Sequence, residues 1–212
     1  MIIWLASYPK SGNTWLRTIL NQLLFSKDRK ENKVFENLDI ITSYPQKKHF
    51  KNISEKLTLS EFKDQEEVIK NWITSQDIIN LDNKIKFFKK NNFACKRYNE
   101  DDKKSYSFTD LNNTLGVMYI VRDPRNIITS LKYHFSLKDY DAAFKMMDNT
   151  HMWLGDDDED AVPQALTSWD KHFDSWSRFP KNFLLIRYED LLSDTKNEIK
   201  KITKYLSKFF DI

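Results

Sequence analysis

Lys10, Ser11, Asn13 and Thr14 surround a single glycine, Gly12, in the stretch YPKSGNTW. These types at this spacing suit the holding of an anion. The lysine supplies a mobile point charge, three side chains can donate hydrogen bonds, and the glycine lets the chain turn. The stretch follows the apolar run IIWLAS and precedes the helical pattern TWLRTILNQLLF. A strand-to-helix turn adds unpaired backbone N–H groups and the positive end of a helix dipole. It is not a G-x-x-x-x-G-K-[ST] loop, because its lysine comes before the glycine. On spacing alone, an anion site and an ordinary surface turn explain it equally well.

A second set, Arg122 and Ser130, lies in YIVRDPRNIITSLKYHF. Arg122 directly follows an apolar strand, and Ser130 falls two turns into the next helix, on the side that can face back toward the strand ends. If the two strands are neighbours, both groups reach the crevice of the first loop, and a ligand with two separated phosphates satisfies both halves. The competing reading pairs Arg122 with Asp123 or Glu189 as a structural bridge.

The elements that must position these groups are legible in part. Residues 2 to 7 and GVMYIV (116 to 121) read as strands buried on both faces, and FLLIR (183 to 187) as a third. Trp15, Leu16, Ile19, Leu20, Leu23 and Leu24 mark one face of a helix. Asp123 is a good N-cap with Pro124 at N1, and Ile127, Ile128 and Leu131 supply the buried face that follows. Ser60 can cap a helix through residues 61 to 80 with Phe62, Val68, Ile69, Trp72 and Ile73. NFACKRY (92 to 98) reads as another short strand leading into the polar loop NEDDKKS. Residues 162 to 179 read as a helix with Trp169, Phe173 and Trp176 on one side, packed into the core. Ile199, Ile202, Leu206 and Phe209 mark an amphipathic terminal helix. Alternating strand and helix signals predict an α/β fold with a mostly parallel sheet and ligands beyond the strands' carboxyl ends.

Composition limits the function classes. A chain of 212 residues is the length of one well-filled domain. With 40% hydrophobic and 31% charged residues, it reads as a soluble folded protein. A net charge of +3 mildly favours an anionic ligand, and no basic stripe with interleaved aromatics calls for nucleic acid. The lone Cys95 excludes a disulfide scaffold within the chain and suits a reducing compartment. The apolar start is too short for a membrane span. The acidic run 156 to 160 reads as a solvated loop, since His151 alone does not complete a metal-ligand set.

Taken together, YPKSGNTW, YIVRDPRNIITSLKYHF, SWDKHFDSW and IRYEDLLSD resemble successive blocks of the cytosolic-type sulfotransferase family in its compact bacterial form. The resemblance runs from residue 2 to about 210 and is weakest between residues 30 and 90. It implies a three-layer α/β fold of P-loop-like topology, forming one domain over residues 1 to 212. It also implies transfer of a sulfuryl group from 3'-phosphoadenosine 5'-phosphosulfate (PAPS) to a hydroxyl or amine, with PAP as product and no metal required. The acceptor would be a small molecule or glycan and the setting cytoplasmic, with homo-oligomerisation compatible.

By position, Lys10, Ser11, Gly12, Asn13, Thr14 and Trp15 resemble the cradle of the 5'-phosphosulfate, with Lys10 at the bridging oxygen. Arg122 and Ser130 resemble the 3'-phosphate pair. Tyr188 and Trp169 lie in retained blocks, with structural or adenine-proximal roles.

Two departures stand out. Where the family reads Lys-Thr-His, its histidine serving as general base, this chain has Lys96, Arg97 and Tyr98. A phenol is a poor base unless its pKa falls, which Lys10, Lys96 and Arg97 can bring about. His134 and His151 are spare candidates. The family's closing Arg-Lys-Gly segment is also not found before Ile212. These departures leave a catalytically impaired PAP- or PAPS-binding protein as the alternative, with a small ATP-dependent phosphotransferase behind it.

Overall fold

In this computed structural model the described residues are 1–25, 41–50, 53, 65–90, 96–98, 104–155 and 162–210. Four parallel strands form the central sheet in the order β2, β1, β5, β8. They are β1 (Ile2–Ala6), β2 (Lys86–Lys90), β5 (Thr114–Val121) and β8 (Phe183–Arg187). Every residue of β1 is buried, as a central parallel strand requires.

Side chains alternate across the pleat, and each face has its own core. Ile2, Trp4, Val117 and Tyr119 pack with Trp72 and Trp176, contributed by α3 (Trp72–Ile79) and α6 (Trp169–Ser177). Ile3, Leu5, Met118 and Ile120 pack on the other face with Leu16, Leu20, Ile202 and Leu206. Those partners come from α1 (Asn13–Leu24) and α8 (Thr195–Leu206). Two helical layers thus sandwich the sheet, and the expected three-layer architecture holds.

One edge strand of the central sheet escapes the sequence reading. β2, KFFKK, carries three lysines in five residues, so no apolar run announces it. Phe87 joins one core and Phe88 the other, which is enough to seat it beside β1 in register Ile3↔Phe87. The strand expected over 92 to 98 is described only at β3 (Lys96–Tyr98). It pairs antiparallel with β4 (Ser105–Ser107) in a separate sheet, not with the parallel one.

The helix expected from 61 to 80 is two helices, α2 (Gln65–Lys70) and α3, parted at Asn71; Ser60 and Phe62 lie outside the described residues. The helix expected from residue 162 begins only at Trp169, because Gln164–Ala165 (β7) first pairs with Trp153–Leu154 (β6). The acidic run 156–160, Cys95 and most of NEDDKKS also lie outside the described residues.

Tyr205 on α8 donates its hydroxyl to the Asn182 carbonyl at 2.7 Å, tying the last helix to the loop before β8. A Cβ on Gly116 would meet that same hydroxyl. Tyr205→Phe is expected to lower unfolding free energy by about 1 kcal/mol, because the Asn182 carbonyl keeps its bond from Val117 N–H at 2.9 Å. A urea midpoint identical to wild type would show that the bond contributes nothing.

Candidate active site

The loop from Ser7 to Gly12 links β1 to α1 across the carboxyl end of the sheet. Two of its residues are left-handed, Lys10 at φ 67° and Gly12 at φ 103°. For Gly12 that conformation is free of side-chain cost, and space also demands glycine there. A Cβ would lie 2.5 Å from Cδ2 of Tyr188. Gly12 N-caps α1, accepting the Leu16 N–H at 3.2 Å, so the first turn of α1 directs its free N–H groups to the loop.

Asn13 corrects the sequence reading. Its side-chain amide turns inward and donates to the Leu5 carbonyl at 3.0 Å and to Ser7 Oγ at 3.1 Å. It braces the loop from beneath, while its Oδ1 is buried without a partner among the described residues. Ser11 Oγ is buried and unpartnered among the described residues.

Arg122 follows β5 and settles the competing reading of its role. Asp123 instead caps α4 (Pro124–His134), accepting the Arg125 N–H at 2.9 Å and pairing with the Arg125 guanidinium. That pairing holds the Asp123 carboxyl at about 2. Glu189 accepts the Asp123 N–H at 2.9 Å. No carboxylate among the described residues pairs with Arg122. Its Nη1 donates to the Lys10 carbonyl at 3.1 Å, and its guanidinium lies 4.4 Å from the centre of the Tyr188 ring. Tyr188, first residue of α7 (Tyr188–Ser193), also meets Trp15 edge-on at 5.6 Å. One tyrosine ring therefore fixes the glycine turn, the arginine and the start of α1 together. Arg122 Nε is buried without a partner among the described residues, leaving donor capacity unused.

These groups open on one cavity of about 890 Å³. Lys10, Gly12 to Trp15, Arg122, Ser130 and Tyr188 all line it, so the two halves read from the sequence converge. The lining residues not assigned to this site from the sequence include Lys89, Gln164 and, as more than a spare, His134. Lys89 was hidden with its strand. It pairs in register with Leu5, and Ser7 N–H bonds to the Lys90 carbonyl at 3.1 Å, so β2 runs beside the loop. Burial first, then Arg17 and Lys10, hold the Lys89 ammonium below its usual pKa.

Trp169 does not reach this cavity. It packs against Tyr8, Ile127 and Leu131, and borders a smaller cavity of about 440 Å³ with Arg122 and Arg187. His151 is exposed and also lies off the main cavity. Lys96 and Tyr98 stand in the β3–β4 hairpin, and their side chains are outside the described residues, so their assignment rests on the resemblance alone.

A parallel α/β sheet whose first strand feeds a lysine-bearing turn and a helix N-terminus, with arginine and serine from the next unit, defines a protein that binds a nucleotide or a similar polyanion. The chain belongs to the sulfotransferase domain family, whose profile matches residues 2–211. Sulfotransferase 2A6 of Rattus norvegicus is 36% identical over 94 residues, covering 43% of this chain and 31% of that protein. Sulfotransferase 2A1 of Homo sapiens is 31% identical over 94 residues, with the same shares covered. The aligned stretch is about a third of the length of these curated relatives.

Among solved structures, a mouse sulfotransferase complexed with PAP superposes with TM-score 0.54 at 18% identity, over 100% of this chain and 60% of that one. Retinol dehydratase in complex with retinol and PAP gives TM-score 0.55 at 18% identity, over 99% and 61%. At these identities the likeness is one of fold.

Arg122→Ala is expected to weaken PAP binding about tenfold, roughly 1.5 kcal/mol for a lost charged hydrogen bond. Arg125→Ala, which removes an arginine paired with its own cap, should leave binding unchanged. Equal losses in the two variants by calorimetry would dismiss Arg122 as a specific ligand.

Proposed function

We propose that this chain is a PAPS-dependent sulfotransferase that transfers a sulfuryl group to a hydroxyl or amine. The observation carrying this reading is the convergence of Lys10 and Gly12 to Trp15 with Arg122 and Ser130 on one cavity, Ser11 lying buried in the same loop and not among the lining residues. Three cations, Lys10, Lys89 and Arg122, line the cavity with no carboxylate among its described lining residues, which suits a donor carrying a 5'-phosphosulfate and a 3'-phosphate. The buried, unpartnered Ser11 Oγ and Arg122 Nε fit a ligand rich in acceptor oxygens. Lys10, the loop amides and Lys89 would neutralise charge growing on the leaving phosphate. Arg122 and Ser130 would hold the 3'-phosphate, and Tyr188 with Trp15 would wall the site.

The acceptor oxygen would attack sulfur in line with the departing bridging oxygen, so catalysis is positioning plus electrostatics. Among the described residues no cluster of three or more His, Cys, Asp or Glu could hold a metal, and no helix is long and apolar enough to cross a membrane. Phe135, Leu154 and Gly155 add apolar surface to the cavity lining. Together with the small lipophilic molecules named in the complexes of retinol dehydratase, retinol and androsterone, this supports a small-molecule acceptor with an apolar body. A single domain over residues 1 to 212, a cytoplasmic setting, a bacterial source and catalytic roles for Lys96 and Tyr98 belong to the same reading and rest on resemblance.

Calorimetry with PAP, followed by transfer from labelled PAPS to a panel of alcohols, phenols, amines and sugars, tests the proposal. Micromolar PAP binding with transfer to at least one acceptor is expected. Binding without transfer would favour a nucleotide-binding protein that has lost catalysis. Preference for ATP with magnesium would refute the donor assignment.

A further inference from the structure

We propose that His134 is the general base that removes the acceptor's proton. The inference rests on the donor reading above and gives the proton to His134 in place of Tyr98, the residue at the position of the family's base. His134 is the last residue of α4 and stands one turn beyond Ser130, so both share the helix face that lines the main cavity. Ser130 faces the donor's 3'-phosphate in that reading, and His134 is next to Phe135, one of the apolar lining residues against which an acceptor body would fit. Its ring meets Phe135 edge-on at 4.8 Å, which restrains its orientation while leaving it exposed to an incoming hydroxyl.

Among the described residues the rest of the cavity wall offers no rival. Among the described lining residues His134 is the one imidazole, and there is no carboxylate. The other charged side chains among the described lining residues are the cations Lys10, Lys89 and Arg122, and the Tyr188 ring lies against Arg122. The charges facing His134 across the cavity are thus all positive. On its own helix Lys132 lies over the Tyr133 and Tyr140 rings. On α5 (Tyr140–Asp148), packed against α4, Asp141 pairs with Lys145 at 2.7 Å, and the preceding Asp139 accepts the Ala142 N–H. Desolvation first, then Lys10 and Lys89, lower the His134 pKa from its usual 6.5, so the neutral, proton-accepting ring predominates at pH 7. After proton uptake the imidazolium sits at the negative end of α4, which stabilises it.

In the step, an acceptor oxygen lone pair forms the new bond to sulfur. The bond from sulfur to the bridging phosphate oxygen breaks and its electron pair leaves with PAP. The acceptor's proton passes to His134 and then to solvent. Because the free base is the active form, kcat/KM should fall as pH drops through the lowered histidine pKa.

His134→Gln keeps polarity and approximate size but takes no proton at these pH values. With PAPS and the best acceptor, its kcat is expected to fall about a hundredfold, its acid limb to disappear and its PAP affinity to stay within about twofold of wild type. A readout independent of turnover is the ring-proton NMR signal that vanishes in the variant. Its titration should shift to higher pH when PAP binds, since phosphate charge offsets Lys10 and Lys89. Wild-type turnover and pH profile in His134→Gln, or a titration that bound PAP leaves unmoved, would overturn the assignment while the donor reading stands. Failure of PAP to bind the wild-type chain would overturn the donor reading, and the base with it.

Discussion

Replacing Lys10 with alanine is expected to lower turnover about a hundredfold or more, with little change in stability. The lysine is the side chain of the loop that can bring a full charge to the leaving oxygen, and a donor aimed at developing charge is worth more in the transition state than in the ground state. PAP affinity should therefore drop less than kcat. The fold should tolerate the change, because what the loop takes from residue 10 is its backbone: a left-handed φ of 67° and a carbonyl that accepts from Arg122. Alanine meets the same conformational cost as lysine there. Arginine at this position should not restore the rate, since its planar fork cannot reproduce a compact ammonium. Single-turnover assays with labelled PAPS, set beside calorimetry with PAP, separate the two quantities. Wild-type turnover in Lys10→Ala would remove the lysine from the mechanism.

Gly12→Ala is expected to damage fold and site together. An alanine at φ 103° meets the left-handed penalty, about 1–2 kcal/mol, before any contact is considered. Its Cβ would also lie 2.5 and 3.0 Å from two Tyr188 ring carbons and 3.1 Å from Ile120 Cδ1. Relieving that overlap costs about 1–3 kcal/mol more. The ring cannot move alone, because Arg122 stacks on it and Trp15 abuts it. The melting temperature and the PAP affinity should both fall, the latter through displacement of Arg122. A variant that melts like wild type and binds PAP with wild-type affinity would show that the turn does not depend on this glycine.

The strands at the centre of the sheet were readable because their environment is uniform. β1 and most of β5 are buried on both faces, so nearly every side chain is apolar and a continuous run betrays them. β2 lies at the sheet edge and needs only Phe87 and Phe88 to anchor it, so its lysines mask it. That omission propagated into the site. With β2 unread, Lys89 has no place in the sequence reading of the site. The late start of α6 was missed for another reason. The 164–165 strand pairs with residues 153–154, a contact that local periodicity does not register.

What the sequence by itself determined was the set of chemical parts: an anion loop around Gly12, an arginine and a serine one helix apart from a second strand end, and the α/β alternation that places both beyond the sheet. Each is encoded locally, in runs of a few residues governed by turn, cap and helix geometry. Only the tertiary structure decided which parts meet and which way they point. It made β1 and β5 neighbours, turned Asn13 inward as a brace, gave Arg122 to the Lys10 carbonyl in place of a carboxylate, and set Lys89 and His134 around the same cavity. Those outcomes depend on strand order and on packing between residues scores of positions apart. Spacing along the chain carries no record of them.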